Sequence, residues 1–164
     1  MQQTALQIYV SSNDWVWALW QIIHFVGMSL VVGIVGTLDL RIMGLFKSIP
    51  IAAFRPLVPW AVVGFICNLV TGIFFITSKL PGPSYYTENL SFRLKMLFVV
   101  LAAANLIIFQ VSGLEGRVYS TPAGGSAPAA AKAVSIFSLV AWVLVIFFGR
   151  IMQYNDTLLM FLGL

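Results

Sequence analysis

Four long apolar runs constrain this chain more than any other feature of its sequence. Each is close to the roughly 20 apolar residues that a helix needs to cross the hydrocarbon core of a bilayer. Spanning segments must satisfy their backbone hydrogen bonds internally, which favours helix over strand in every run. The predicted spans are Trp15–Leu38, Trp60–Ser78, Met96–Ser112 and Ala133–Met152. The sequence therefore predicts an all-α fold, an integral membrane four-helix bundle that forms one domain over residues 1–164.

The composition agrees with a membrane location. Of the 164 residues, 60% are hydrophobic and 9% are charged, against about half and about a quarter in soluble domains. The formal net charge is +4, but the basic residues lie between the apolar runs, where contact with lipid head groups explains them. Because no basic stretch is interleaved with aromatic residues, we expect the lipid bilayer as a partner and no nucleic acid.

The basic residues also predict an orientation. Five lie in the first and third loops, and four lie in the second loop and the C-terminal segment. The positive-inside rule then places both termini outside the cytoplasm, which is the periplasmic side in a bacterium. The two sets are Arg41, Lys47, Arg55, Arg117 and Lys132, and Lys79, Arg93, Lys95 and Arg150. At the entrance of the third span, Arg93 and Lys95 are expected to extend toward the head groups.

Motifs for enzymatic chemistry are missing from the sequence. The single cysteine, Cys67, cannot form an internal disulfide, and CxxC and zinc-type spacings are absent. There is no paired-carboxylate site, no Ser/His/Asp set, no phosphate-binding loop and no two-histidine zinc helix. We therefore expect no catalytic residues and no metal site, and a protein that is not an enzyme.

Polar side chains within the spans are the remaining candidates for function, because such groups are costly in a membrane and usually face the bundle interior. We expect them to form a polar interior shared by all four helices. Asn105 and Gln110 are suited to lining a quinone or substrate pocket, but hydrogen bonding between helices is the favoured interpretation, at about 0.6–2 kcal/mol each. The polar residues are Gln21 and His24, Asn68 and Thr71, Asn105 and Gln110, and Ser135 and Ser138.

His24 is the only histidine in the chain and has a functional interpretation. Neutral imidazole binds haem iron well, so His24 is a candidate axial ligand of haem b. The sixth position would then fall to a methionine, namely Met28, Met96 or Met152, or to a histidine of another subunit, or remain vacant.

The alternative for His24 is a role in packing. Its imidazole would then form a hydrogen bond across the bundle to Asn68, Asn105 or Gln110. A single candidate ligand is weak support for a haem site, so packing is the favoured interpretation.

Asp39 and Arg41 are expected at the membrane interface opposite Trp15, about 36 Å along the helix. They are two residues apart and point to different sides of a helix, so they do not pair. We interpret them as interfacial charges that fix the depth of the helix, with a latch between helices or a partner contact as the alternative.

Small residues predict where helices pack closely and where a loop is flexible. Gly33, Gly36, Gly64 and Gly72 are typical of close helix packing, and Gly27 leaves room beside His24 for another helix or a flat cofactor. The third loop, "STPAGGSAPAAAK", is rich in small residues, which favours flexibility.

Three motifs, taken in order, resemble a bacterial family of small four-span membrane proteins of unknown function. They are "HFVGMSLVVGIVGTLDLRIMG", then "PWAVVGF" followed by Thr71-Gly72, then "ENLSFRLKMLFVVLAAANLIIFQ". The resemblance covers nearly the whole chain and implies a bacterial inner-membrane protein. In that family a histidine often stands where this chain has Gln110, and a proline where it has Leu90. A more distant architectural likeness is to copper-resistance D proteins and b-type cytochrome bundles.

The departure at Gln110 bears on function, since a histidine there would complete a bis-histidine haem pair with His24. We therefore favour a non-catalytic structural or accessory subunit of a larger membrane complex, with other membrane subunits or further copies of the chain as partners. A haem-binding electron carrier is the second hypothesis. A small transporter or metal-handling protein is the third.

Overall fold

The computed structural model describes residues 4–78 and 82–163, apart from the side chain of Thr157. Lys79, one of the basic residues counted for orientation, lies outside the described residues. The helices are α1 (Ala5–Ser11), α2 (Asp14–Met43), α3 (Val58–Ser78), α4 (Pro83–Glu88), α5 (Leu90–Val111), α6 (Leu114–Tyr119), α7 (Ala129–Ile151) and α8 (Asn155–Leu162), with 3-10 segments at Ile51–Leu57 and Met152–Tyr154. Four of them, α2, α3, α5 and α7, are long and apolar enough to cross a membrane. The predicted all-α four-helix membrane fold is confirmed.

The structure shows what sets the ends of two spanning helices. Helix α5 begins at Leu90 rather than near Met96, since the Oδ1 atom of Asn89 accepts a hydrogen bond from the Phe92 amide at 3.0 Å. The Nδ2 atom of Asn89 donates to the Met152 carbonyl at 2.9 Å, which ties this start to the end of α7. Helix α2 ends at Met43, before Gly44 with φ of 115°.

The four spanning helices pack in the order α3, α2, α7, α5. Consecutive members of that row are in extensive contact, whereas α3 and α5, at its two ends, make at most marginal backbone contact among the described residues. Helices α2 and α3 approach closely where Gly27 faces Gly64. Of the predicted packing glycines, Gly64 is confirmed. Gly33 and Gly72 are not in close contact, because no described neighbouring atom lies within 4 Å of where a Cβ atom would be on either residue.

A compact apolar cluster closes the end of the bundle at which α2 terminates. It joins the last turn of α2, the 3-10 segment, α6 and the start of α7, so the short elements between the spans are packed rather than loose. The buried members are Ile42, Ile51, Leu114, Val118, Ala127 and Ala131.

Arg41 lies inside this end of the bundle and is completely buried, so the favoured interpretation, an interfacial charge that fixes the depth of the helix, is wrong. Its guanidinium group donates to the carbonyl oxygens of Ile49 at 2.6 Å, Lys47 at 3.3 Å, Pro122 at 3.4 Å and Gly125 at 3.5 Å. One cation thus satisfies backbone acceptors from two separate loops. These bonds hold the small-residue third loop, for which we expected flexibility.

Asp39 is also buried, at 6% exposure, so the favoured interfacial role is wrong for it too, and its bonds to α7 agree with the alternative, a latch between helices. Its carboxyl group faces α7, where Ser135 and Ser138 bond to it. As predicted, it does not pair with Arg41, which is engaged with backbone carbonyls.

Candidate functional site

A cavity of about 170 Å³ lies between α3 and α5, which make at most marginal contact with each other among the described residues. It is at the end of the bundle where α2 and α5 begin, and its walls are mainly aliphatic and aromatic. Several wall residues are also exposed on the outer face of the bundle, among them Leu69 at 45%, Ile73 at 64% and Met96 at 40%. The cavity therefore opens sideways, onto the surface that contacts lipid chains. Its polar wall residues include His24, Asn68, Tyr86 and Lys95.

His24 enters the cavity wall with one ring nitrogen already bonded. Its Nδ1 atom lies 2.7 Å from the Oγ1 atom of Thr71, and Thr71 in turn donates its hydroxyl hydrogen to the Cys67 carbonyl at 2.7 Å. Because the Thr71 hydrogen is directed to that carbonyl, the hydroxyl accepts from Nδ1–H of the imidazole. This arrangement fixes the tautomer and leaves Nε2 with a free lone pair.

Aromatic rings hold the His24 side of the cavity in place. The His24 and Phe75 rings meet edge to face, with centroids 5.3 Å apart, and Trp20 stacks on Phe74 at 4.2 Å. Both pairs join α2 to α3, so the imidazole is positioned by rigid helices rather than by loops.

Lys95 turns inward and lines the same cavity, contrary to the expectation that it extends toward the head groups. Its side chain lies against α7 at Gly149, where a Cβ atom would be 3.5 Å from both Cδ and Nζ of Lys95. Among the described residues its ammonium forms no hydrogen bond and no ion pair. Arg93, by contrast, is exposed and donates from Nε to the Thr87 carbonyl.

A signal for Lys95 was present in the sequence. Phe92, Lys95, Val99 and Ala102 follow one another at spacings of three or four residues, so they share one helix face. Since Ala102 is buried in the bundle, that face points inward and takes Lys95 with it.

Asn68 and Tyr86 complete the polar part of the wall. The Nδ2 atom of Asn68 donates to the Gly64 carbonyl at 2.9 Å, while its Oδ1 atom is buried with no partner among the described residues. The Tyr86 hydroxyl donates to the Phe75 carbonyl at 3.1 Å and links α4 to α3. The cavity thus presents the ammonium of Lys95, which has no partner among the described residues, and the lone pair on Nε2 of His24.

Some of the predicted site residues lie together at the cavity, and others lie away from it. His24, Met28 and Asn68 line the cavity, together with Met96 and Met152, and Thr71 supports His24 from behind. The favoured interpretation, a hydrogen bond from His24 to another helix, is therefore correct, but the partner is Thr71 and not Asn68, Asn105 or Gln110.

Gln21, Asn105 and Gln110 lie outside the cavity. Gln21 is exposed on the outer face of α2, so its assignment to the polar interior is wrong. Gln110 is also exposed, and it lies at the far end of α5, beyond reach of His24. Asn105 donates from Nδ2 to the Val134 carbonyl at 3.2 Å, the predicted hydrogen bond between helices.

Haem b does not fit this cavity. About 170 Å³ is close to the ~150 Å³ cavity that holds one benzene ring and below the ~300–1,000 Å³ of pockets for larger organic ligands. A porphyrin joins four pyrrole rings in one plane, and the chain has no second histidine for the opposite face of the iron. Among the described residues, no three of His, Cys, Asp and Glu are grouped so that they could hold a metal ion.

Three comparisons with known proteins gave no match. No protein-family model, no curated protein and no solved structure matches the chain. The resemblance to a bacterial four-span family therefore stays a prediction.

Proposed function

We propose that this membrane protein binds an amphiphile in the cavity between α3 and α5, with an anionic head group beside Lys95 and an apolar chain in the lateral opening. The observation that carries this proposal is the position of Lys95. It lines an otherwise apolar cavity in a membrane-spanning helix, without an anionic partner among the described residues.

An unpaired ammonium inside a membrane-spanning helix is costly. Groups of this kind line ligand or ion pathways, where their partner is supplied from outside the chain. An anionic oxygen on a ligand compensates Lys95 directly, through a charge-assisted hydrogen bond.

The acceptor on His24 limits which head groups the cavity can bind. Nε2 of His24 carries a lone pair and has no partner among the described residues, so it requires a donor on the ligand. A head group that combines a phosphate or carboxylate with hydroxyl groups supplies both the anion and the donor. The exposed walls at Ile73 and Met96 accept the apolar chain.

Lipid binding by the full chain in mild detergent, followed by native mass spectrometry, tests the proposal. The probes are phosphatidylglycerol, phosphatidic acid and phosphatidylcholine with identical chains. Phosphatidylglycerol is expected to bind most tightly, and Lys95→Met is expected to weaken it about 10- to 100-fold. Arg93→Met is the matched control, because it removes an exposed cation two residues away and is expected to leave binding unchanged.

Two results would contradict the proposal. One is equal affinity for phosphatidylglycerol and phosphatidylcholine. The other is an equal loss of affinity in the Lys95→Met and Arg93→Met variants, which would assign the effect to general surface charge.

Handling of Cu(I) is a second candidate function, favoured by one observation. Met28, Met96 and Met152 line the cavity with the free nitrogen of His24, and thioether and imidazole groups are ligands of Cu(I). The charge of Lys95 opposes a bound cation. The Lys95→Met variant therefore separates the two functions, since it should strengthen Cu(I) binding and weaken phosphatidylglycerol binding.

We also propose, from the motif resemblance, that the protein resides in a bacterial inner membrane, and, from the distribution of its basic residues, that both termini lie on the periplasmic side. A role as accessory subunit of a larger complex is compatible with lipid binding. Electron transfer through haem has no support from the cavity, and an absorbance spectrum of the purified protein without a Soret band is the expected result.

A further inference from the structure

A buried carboxyl group lies at the contact between α2 and α7, at the opposite end of the bundle from the cavity. Asp39 is 6% exposed, and the two α7 residues that bond to it, Ser135 and Ser138, are 1% and 7% exposed. The Oδ2 atom of Asp39 has no hydrogen-bond partner among the described residues. The site thus joins one carboxyl group to two hydroxyls inside a membrane-spanning interface.

Among the residues that the structure describes, no cation pairs with Asp39. On its own helix, Arg41 is bound to loop carbonyls. On α7, Lys132 donates to the Ser126 hydroxyl at 2.8 Å, and Arg150 lies near the other end of the helix. In the 3-10 segment packed against α2, Arg55 lies over the Tyr119 ring at 5.8 Å. The described part of α3 carries no charged residue, and neither does α1.

Hydroxyl groups suit a carboxyl group that changes its protonation state. A serine hydroxyl donates one hydrogen and also accepts, so Ser135 and Ser138 can donate to a carboxylate or accept from a carboxylic acid. An arginine or lysine would instead hold the group permanently ionised. Ionisable side chains inside membrane bundles that have no fixed counter-charge are typical of proton or ion pathways.

We propose that Asp39, Ser135 and Ser138 form a reversible proton-binding site within the α2–α7 interface. The bound species is the proton itself, carried on the carboxyl group and accommodated in both states by the two hydroxyls. This site is independent of the lipid cavity and of its proposed ligand.

Infrared difference spectroscopy on the full chain in nanodiscs, switched between acidic and alkaline buffer, tests the proposal. A carboxylic-acid C=O band that appears and disappears reversibly, and that is lost in Asp39→Asn, is the expected result. The chain has only five Asp and Glu residues, so one band is readily assigned. In Ser135→Ala/Ser138→Ala the band should move to higher frequency, because hydrogen bonds to a carboxyl group weaken its C=O bond.

Several outcomes would overturn the proposal. A band that is present in both buffers means a permanently neutral structural group, and absence of any Asp39-dependent band means a permanent carboxylate. A band unmoved by the double serine variant would show that the hydroxyls do not bind the carboxyl group. If Asp39→Asn fails to fold, isotope-edited spectra of the wild type and of the serine variants still decide among these outcomes.

Discussion

The backbones of Gly27 and Gly64 meet where α2 crosses α3. A Cβ atom on Gly27 would lie 2.8 Å from the carbonyl oxygen of Gly64, and a Cβ atom on Gly64 would lie 2.6 Å from the carbonyl oxygen of Gly27. The obstacle in each case is backbone, which cannot turn aside as a flexible side chain does. This contact also sets the cavity wall, since Asn68 lies one turn after Gly64 and bonds to its carbonyl.

Substitution of Gly64 by alanine is therefore expected to separate α2 from α3 and to destabilise the fold. The change gains up to about 1 kcal/mol in helix propensity but inserts an atom into a packed contact, at a cost of about 1–3 kcal/mol. We expect a net loss of about 1–2 kcal/mol in the free energy of unfolding, measured by denaturation in detergent. Gly33→Ala is the control, because its Cβ meets open space, and it should be neutral or slightly stabilising. Equal effects of the two variants would refute the close contact.

Replacement of Arg41 is expected to release the two loops that its guanidinium group holds. In Arg41→Met the carbonyl oxygens of Ile49 and Pro122 lose a charged donor, and each bond of this kind contributes about 1.5–3 kcal/mol. Proteolysis within residues 120–128 should become faster, and the Gly124 amide, bonded to the Lys47 carbonyl at 2.7 Å, should exchange sooner with solvent. Arg117→Met removes an exposed arginine near the same loop and should change neither measurement. Protection of Gly124 that persists without Arg41 would show that the loop is held by something else.

The tautomer of His24 follows from its contact with Thr71 and can be observed directly. Because the chain has one histidine, selective ¹⁵N labelling gives a single pair of ring-nitrogen signals. We expect a protonated Nδ1 and a lone pair on Nε2 at neutral pH, since Thr71 donates to the Cys67 carbonyl and accepts from the ring.

Thr71→Val keeps the shape of the side chain but removes the acceptor. Its spectrum should shift toward the other tautomer or a mixture, and Thr77→Val, one and a half turns away on the exposed face of α3, should leave the signals unchanged. An Nε2-protonated ring in the wild type would rule out the lone pair on which both ligand hypotheses draw.

Hydropathy alone was sufficient to predict the four spanning helices. The four apolar runs lie within α2, α3, α5 and α7, apart from a residue at the ends of two of them, because the bilayer imposes both the length and the helical form of a span. The ends were less predictable. Helix α5 starts six residues before the predicted span, since Asn89 caps it and bonds to the end of α7, a contact that hydropathy does not register.

The site was less predictable because it depends on distant parts of the chain. Lys95 turns inward against Gly149 on another helix, and a charged residue near a span end is equally compatible with extension toward the head groups. Arg41 is buried only because loops about 6 to 84 residues away present carbonyl oxygens to it. His24 was identified from its rarity, but its partner Thr71 depends on the register between α2 and α3.

Tyr86, which lines the cavity and lies outside the spanning helices, makes the stability of the fold decrease at alkaline pH. Burial raises its pKa above the ordinary value of about 10, and the neighbouring Tyr85 raises it further. The folded chain therefore holds the phenolic proton more tightly than the unfolded chain does. This contribution to stability is fully present below pH ~10 and is lost as the pH rises through the folded-state pKa.

The Tyr86→Phe variant should accordingly lose less stability between neutral pH and pH ~11 than the wild type, because phenylalanine has no proton to release. At neutral pH the same variant should be less stable by about 0.5–1.5 kcal/mol, since the hydrogen bond to the Phe75 carbonyl is gone. Unfolding followed by tryptophan fluorescence at the two pH values measures both effects. Tyr85→Phe, at an exposed ring, is expected to keep most of the alkaline loss. If Tyr86→Phe and the wild type lose equal stability, the phenol does not titrate differently in the folded and unfolded chains.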